Sequence, residues 1–301
     1  MKELKNMTKH ILYSLFALGL MIRPAPADAQ AAQQPPAPAA TPAPAETPVP
    51  VIAIVGEDYR FEVQVGGLVT MPSTVRLSDT ETVGSGATAT TLNGTNIDFK
   101  KDLGLKNQVF PEVHLTIRVA PKHKLRGEYT PLYYKQTTTL AADIAFNGQR
   151  YLAGQTVEST LHWNEWNAAY EFDPIVVDRG YIGGIAGVSS LNVSGATANT
   201  AQSGTASVNI VMPGLGVTGR FYALGKLSVT GDFLVFDLPG GAASTHGHII
   251  QASGYATYNF TKHIGAHIGY RYFDTDHYWS SPVNTGSMRI GGPYVGGTAH
   301  F

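Results

Sequence analysis

From Tyr59 onward to Phe301, nearly every segment returns an apolar side chain at every second position, and no stretch sustains the 3.6-residue rhythm of an amphipathic helix. "EVHLTIRV" sets Val113, Leu115, Ile117 and Val119 against Glu112, His114, Thr116 and Arg118. "LRGEYTPLYY" sets Leu125, Tyr129 and Tyr133 against Arg126, Glu128 and Thr130, and "YRFEVQVGGLVTM", "KLSVTGDFLVF" and "HIGAHIGYRY" repeat the pattern. Successive residues of a strand point to opposite faces, so each segment reads as a strand with one oily face and one charged face. A soluble sandwich would join the oily faces inside. A membrane barrel would turn them to lipid and the charged faces to a lumen.

Turns and aromatics favour the barrel. Short connections at 120–124, 173–179, 222–226 and 260–263 alternate with long Gly/Ser/Thr/Ala-rich ones at about 78–107, 137–156, 194–206 and 238–247. That asymmetry matches tight periplasmic turns and longer extracellular loops. Tyr59 and Phe61, Tyr170 and Phe172, Phe221 and Tyr222, Tyr258 and Phe260, and Phe301 all stand beside short turns or at the chain ends, as a girdle at one membrane boundary requires. The expected fold is all-β: a transmembrane, antiparallel, up-and-down barrel over residues 57–301. Its strands, about ten, fall near 59–72, 109–119, 124–136, 157–172, 179–193, 205–222, 225–237, 247–260, 263–279 and 285–301. Phe301 would then pair the last strand with the first, because an open edge in hydrocarbon leaves backbone groups unsatisfied.

The first 56 residues read differently. Lys2, Lys5 and Lys9 precede the short apolar run "ILYSLFALGLMI" and the small-residue exit "ADA", so residues 1–29 are expected to be a secretory signal peptide. Residues 30–56 follow as a Pro/Ala-rich linker too poor in bulk to build a core, placed in the periplasm. No run of 18 apolar residues exists to make a spanning helix. The chain has no cysteine, which removes disulfides, thiolate metal sites and a cysteine nucleophile. A formal charge of -1 gives no reason to expect nucleic acid.

"NIDFKKDLGLKNQVFPEVHLTIRVAPKHKLRGEYTPLYY" (96–134) and "YNFTKHIGAHIGYRYFD" (258–274) resemble small, largely uncharacterised, porin-like outer-membrane β-barrel proteins of Gram-negative bacteria. The resemblance implies an outer-membrane location and an aromatic terminal strand read by the outer-membrane insertion machinery. Gly297 and Ala299 depart from the larger apolar residues usual in that strand.

Charge on the inward faces is the most informative chemical signal. Arg60, Glu62, Glu112, Arg118, Arg126, Glu128, Glu165, Glu171, Arg220, Asp232 and Arg271 are expected to share the lumen. Ten strands leave an interior that such side chains fill, or at most a narrow solvated passage. The expected role is therefore structural, or that of a narrow pore for small solutes, with outer-membrane lipid as the principal partner and no cofactor. Two alternatives stand beside it. One is recognition by the loops at 78–107 and 194–206. The other is a rim site for hydrolysis or metal built from His246, His248, Asp274, Asp276 and His277, whose spacing puts alternate residues on shared faces. No serine or third group is visibly paired with that rim cluster, no HExxH or GxSxG occurs, and "GRFYALGKL" has the wrong spacing for a phosphate loop. The chain is accordingly expected not to be an enzyme, and no metal site is assigned.

Overall fold

The computed structural model describes residues 54, 57–78, 81–83, 90–238, 246–279 and 281–301. The expected signal peptide (1–29) and, apart from Ile54, the expected linker (30–56) lie outside the described residues. In chain order the strands are β1 (Phe61–Ser78), β2 (Glu81–Val83), β3 (Thr90–Leu92), β4 (Ile97–Asp98), β5 (Gln108–Ala120), β6 (His123–Thr139), β7 (Ile144–Phe146) and β8 (Gln149–Tyr151). They continue with β9 (Thr156–Val177), β10 (Gly180–Ala198), β11 (Ser203–Leu224), β12 (Leu227–Leu238), β13 (His246–Asn259), β14 (Ile264–Trp279) and β15 (Ser281–His300). Ten of them close a barrel in the order β1-β5-β6-β9-β10-β11-β12-β13-β14-β15, with β15 returning antiparallel to β1. Phe301 is tied down as its sequence position requires: its N–H donates to the Phe61 carbonyl at 2.8 Å, and its own carbonyl accepts from Arg60 and Phe61.

Alternation places the oily residues outward. Val65, Val109, Leu115, Val188, Leu215, Phe233 and Ile268 are exposed, as are the girdle residues Phe61, Tyr170, Phe172, Phe221, Tyr258, Phe260 and Phe301. Tyr59 and Tyr222 correct the expected girdle, for both are buried and turn inward. Tyr59 precedes β1 and stacks on His300 at 5.2 Å, while Tyr222 shares the inward parity of Arg220 and donates to the Glu57 carboxylate. On β9 the climb from Phe172 to His162, at about 3.3 Å per residue and about 40° tilt, is about 25 Å, the height of an outer-membrane apolar band. Three outward pairs on β6 and β9 mark its upper limit. Tyr129 stacks on Trp166 at 4.0 Å, Tyr133 meets His162 at 4.4 Å, and Lys135 pairs with Glu158 at 2.9 Å.

The strands run past that limit, which corrects the expected loops. The loop expected at 194–206 is mostly strand, with only residues 199–202 between β10 and β11. The loop at 137–156 carries the β7–β8 hairpin, where Asn147 and Gly148 adopt positive φ as a tight hairpin demands. Beside it the Ala153 N–H and the Arg150 guanidinium hold the Asp143 carboxyl below its ordinary range.

Prolines decide where the ladders lapse. The Arg118 N–H donates to the Arg60 carbonyl, so even-numbered backbone groups of β5 face β1 and odd-numbered ones face β6. The Asp173 N–H donates to the Lys122 carbonyl, so even-numbered groups of β6 face β9 and odd-numbered ones face β5. The β5–β6 register runs from Ala120–His123 up to Val113–Tyr129 and stops. The next pair whose backbone groups would face each other is Pro111 with Pro131, and neither has an N–H to give. The same reasoning covers Pro293 on β15, beside which the β1–β15 register skips from Leu68–Tyr294 to Met71–Gly291.

Candidate functional site

The inward faces build two layers. The layer nearer the short turns is ionic. Arg220 on β11 reaches Glu62 on β1 at 3.4 Å, half the barrel circumference away, and also Glu57 at 3.3 Å. Arg126 on β6 contacts Glu171 at 3.1 Å, Glu128 at 3.3 Å and, across the lumen on β12, Asp232 at 3.0 Å. Arg271 on β14 reaches Glu112 on β5 at 3.1 Å and Glu128 on β6 at 2.6 Å. Glu165 has no cation within ion-pair distance among the described residues. It accepts from Ser189 at 3.1 Å and from the Gln251 amide, whose oxygen accepts in turn from Asn167. One cavity among these groups, of about 20 Å³, is bounded by Tyr59 and Tyr181 and by Arg126 and Arg220. A void of that size holds about one water molecule.

Ten of the eleven charges expected in the lumen are thus inward and in this lattice or at its edge. Arg118 stands at the mouth, bound to Glu57 at 2.6 Å with its guanidinium 4.5 Å over Tyr59. Arg60 is the exception: it precedes β1 and is exposed, because the inward parity at that end belongs to Tyr59 and then Glu62. The lattice also recruits residues the sequence reading passed over. Lys124, 1% exposed, sits between Glu171 at 2.7 Å and Asp173 at 2.9 Å, with its ammonium 3.5 Å over the Tyr181 ring. Both Lys124 and Asp173 fell inside presumed turns, yet each continues the parity of a recognised neighbour, Arg126 and Glu171. His114 lies between Glu112 and Glu128 at 3.6 and 3.4 Å, and His300 meets Glu62 at 2.9 Å.

Above the ionic layer the interior is largely hydrocarbon, with a few buried hydroxyls such as Thr70, Ser159 and Thr197. Phe110, Leu132, Tyr134, Trp163, Leu191, Met212, Phe236 and Ile290 come from the strands, and Ile97, Phe99, Leu103, Leu105, Leu140, Ile144, Phe146 and Tyr151 come from the two long loops. The polar-lumen expectation holds only for the lower layer. The signal for the upper one was present in "TLHWNEW", where Leu161 and Trp163 occupy the face that Glu165 continues.

The rim candidates do not converge on this interior. His248 and Asp276 are register partners on β13 and β14 and share the outward face, since Ile249 and Thr275 turn in. Asp274 accepts from Tyr272 at 3.0 Å and pairs with Arg289 at 2.8 Å. The side chains of His246 and His277 lie outside the described residues. Among the described residues no cluster of three or more His, Cys, Asp or Glu is placed to hold a metal.

A strand order that closes from β15 back to β1, an outward oily band and an inward lattice define a transmembrane β-barrel of the outer-membrane type with a filled interior. No family model matches the chain, and no curated protein matches it in sequence. Solved structures match it in fold. The outer-membrane protease OmpT of Escherichia coli aligns over 82% of this chain and 98% of its own, at 10% identity and a TM-score of 0.49. The toluene transporter TodX of Pseudomonas putida aligns over 81% and 90%, at 7% identity and a TM-score of 0.32. CymD, a monoaromatic hydrocarbon channel, aligns over 82% and 90%, at 9% identity and a TM-score of 0.29. The expectation that the chain is not an enzyme is overturned here, because a barrel matched over nearly its whole length is a protease. At such identities the likeness is one of fold, and it transfers neither proteolysis nor transport.

Proposed function

We propose that this chain is an integral protein of a bacterial outer membrane whose barrel is a closed structural body, its charge-filled lumen barring axial flow. A signal peptide over 1–29 delivers it, the 30–56 linker stays in the periplasm, and insertion machinery and outer-membrane lipid are its partners. The observation that supports a closed lumen is the set of ties from Arg220, Arg126 and Arg271 to carboxylates on far strands, with a cavity for about one water beside Arg126 and Arg220. A narrow pore needs a continuous file of water, and the apolar layer above offers it mainly hydrocarbon, its buried hydroxyls at Tyr134 and Tyr151 being engaged within the protein. Among the described residues of the loop at 78–107, the large apolar side chains Ile97, Phe99, Leu103 and Leu105 are all buried and lend recognition no support.

Planar-bilayer recording tests this directly. The mature chain is expected to give no steady conductance. Large, steady unit currents from the unmodified chain would refute a closed lumen.

A further inference from the structure

The wall of the barrel is incomplete at one place. Above Val113–Tyr129 no ladder pair joins β5 to β6. Yet β5 keeps pairing with β1 as far as Gln108–Thr70, and β6 with β9 as far as Thr139–Thr156. Both walls of this seam are therefore held in place by their other neighbours, while the facing prolines Pro111 and Pro131 keep it from zipping. Its height is fixed by the adjoining outward pairs: it opens beside Tyr129–Trp166 and rises past Tyr133–His162, the outer half of the apolar band. Val109 on its β5 side is 66% exposed and Tyr133 on its β6 side 44%, so the medium at that level reaches the seam directly.

Directly behind it lies the apolar layer. Phe110 and Tyr134 meet edge to face at 4.9 Å across the seam, with Leu132, Leu103 and Leu105 in the same cluster. The Tyr134 hydroxyl is engaged by Thr70 at 2.6 Å, so this lining offers a visitor hydrocarbon and little else. Trp163 is the β9 register partner of Leu132 and 2% exposed. The inner cover over the seam is a loop, not a strand: the Leu103 carbonyl accepts from Thr138 at 3.0 Å, and Gly104 at φ +69° turns the chain there.

We infer that the β5–β6 seam is a lateral portal through which an acyl chain from the outer leaflet enters the apolar layer, taking the place of the Leu103–Leu105 segment. The occupant follows from position and chemistry together. Acyl chains are what surrounds the barrel at that height, and the lining has no charge to receive a headgroup. Lys101 and Lys106, exposed on the loop leading into β5, leave an anionic headgroup a favourable place outside. The inference rests on the membrane reading above but not on axial closure.

The chain contains three tryptophans, which permits a direct test. With Trp166→Phe and Trp279→Phe, Trp163 becomes the reporter of the apolar layer. With Trp163→Phe and Trp279→Phe, Trp166 reports the lipid face. Each full-length mature chain is reconstituted in vesicles of dibrominated phosphatidylcholine and compared with the unbrominated lipid. Trp166 is expected to be quenched in every case. Trp163 is expected to be quenched in the unmodified seam and to lose that quenching when Val109→Cys and Tyr133→Cys are bridged by a short thiol cross-linker, the chain having no other cysteine. Pro111→Val with Pro131→Val, which restores the missing donors, is expected to act in the same direction without any cross-link. Quenching of Trp163 that is absent from the start, or that survives both closures, would overturn the portal. Loss of Trp166 quenching would instead sink the membrane reading, so the two failures are told apart.

Discussion

Arg271→Ala is expected to lower the stability of the folded barrel by about 3–5 kcal/mol, the cost typical of removing one partner from a buried ion pair. The reason is what it leaves behind. Arg271 is 5% exposed and spans the lumen to Glu112 and Glu128, themselves 1% and 8% exposed. Without the guanidinium, buried Glu112 keeps His114 alone as a close cationic candidate, and Glu128 keeps His114 and Arg126. Urea-induced unfolding from lipid vesicles measures the loss. Arg271→Met joined to Glu112→Gln and Glu128→Gln should recover much of it, since a neutral set no longer strands a charge. Arg60→Ala, at the exposed position, should change stability by no more than about 0.5 kcal/mol. Equal effects of Arg60→Ala and Arg271→Ala would contradict the lattice.

Trp163→Ala is the second large effect, a destabilisation of about 3–5 kcal/mol by the same unfolding measurement. Trp163 is among the largest fully buried side chains and packs in a cluster to which both long loops contribute. Its removal leaves a cavity that the surrounding hydrogen-bonded strands can only partly collapse into. Trp166, three residues on and 59% exposed to the lipid side, is the matched control, and Trp166→Ala should cost distinctly less. A reversed order would mean that the interior is polar at that height.

Period-two alternation made the barrel, its strand count and most of its strand centres legible, because lipid and lumen impose opposite chemistry on adjacent residues. The lattice was legible wherever charge stood on a face opposed by Val, Leu or Ile, as at Glu112 and Arg126. It was hidden where a strand outran its expected turn: Lys124 and Asp173 look like turn residues until their parity with Arg126 and Glu171 is followed. The apolar upper layer was hidden for another reason. About a third of it comes from loops, eight of 25 buried residues, whose burial depends on folding back into the barrel, a long-range fact that local rhythm does not encode. The seam, by contrast, was written in plain view in Pro111 and Pro131. Reading it required the register that sets them face to face.

The far-strand ties have a temporal consequence. Each hairpin of the barrel joins neighbours in the chain, but Arg220 and Glu62 are separated by 158 positions, and Arg271 and Glu112 by 159. Such partners come within reach only once the sheet has curled shut, so early in assembly these charges stay in water and contribute nothing to the growing structure. The lattice therefore behaves as a latch: it has little say in how fast the protein enters the bilayer, and much in how long it remains there.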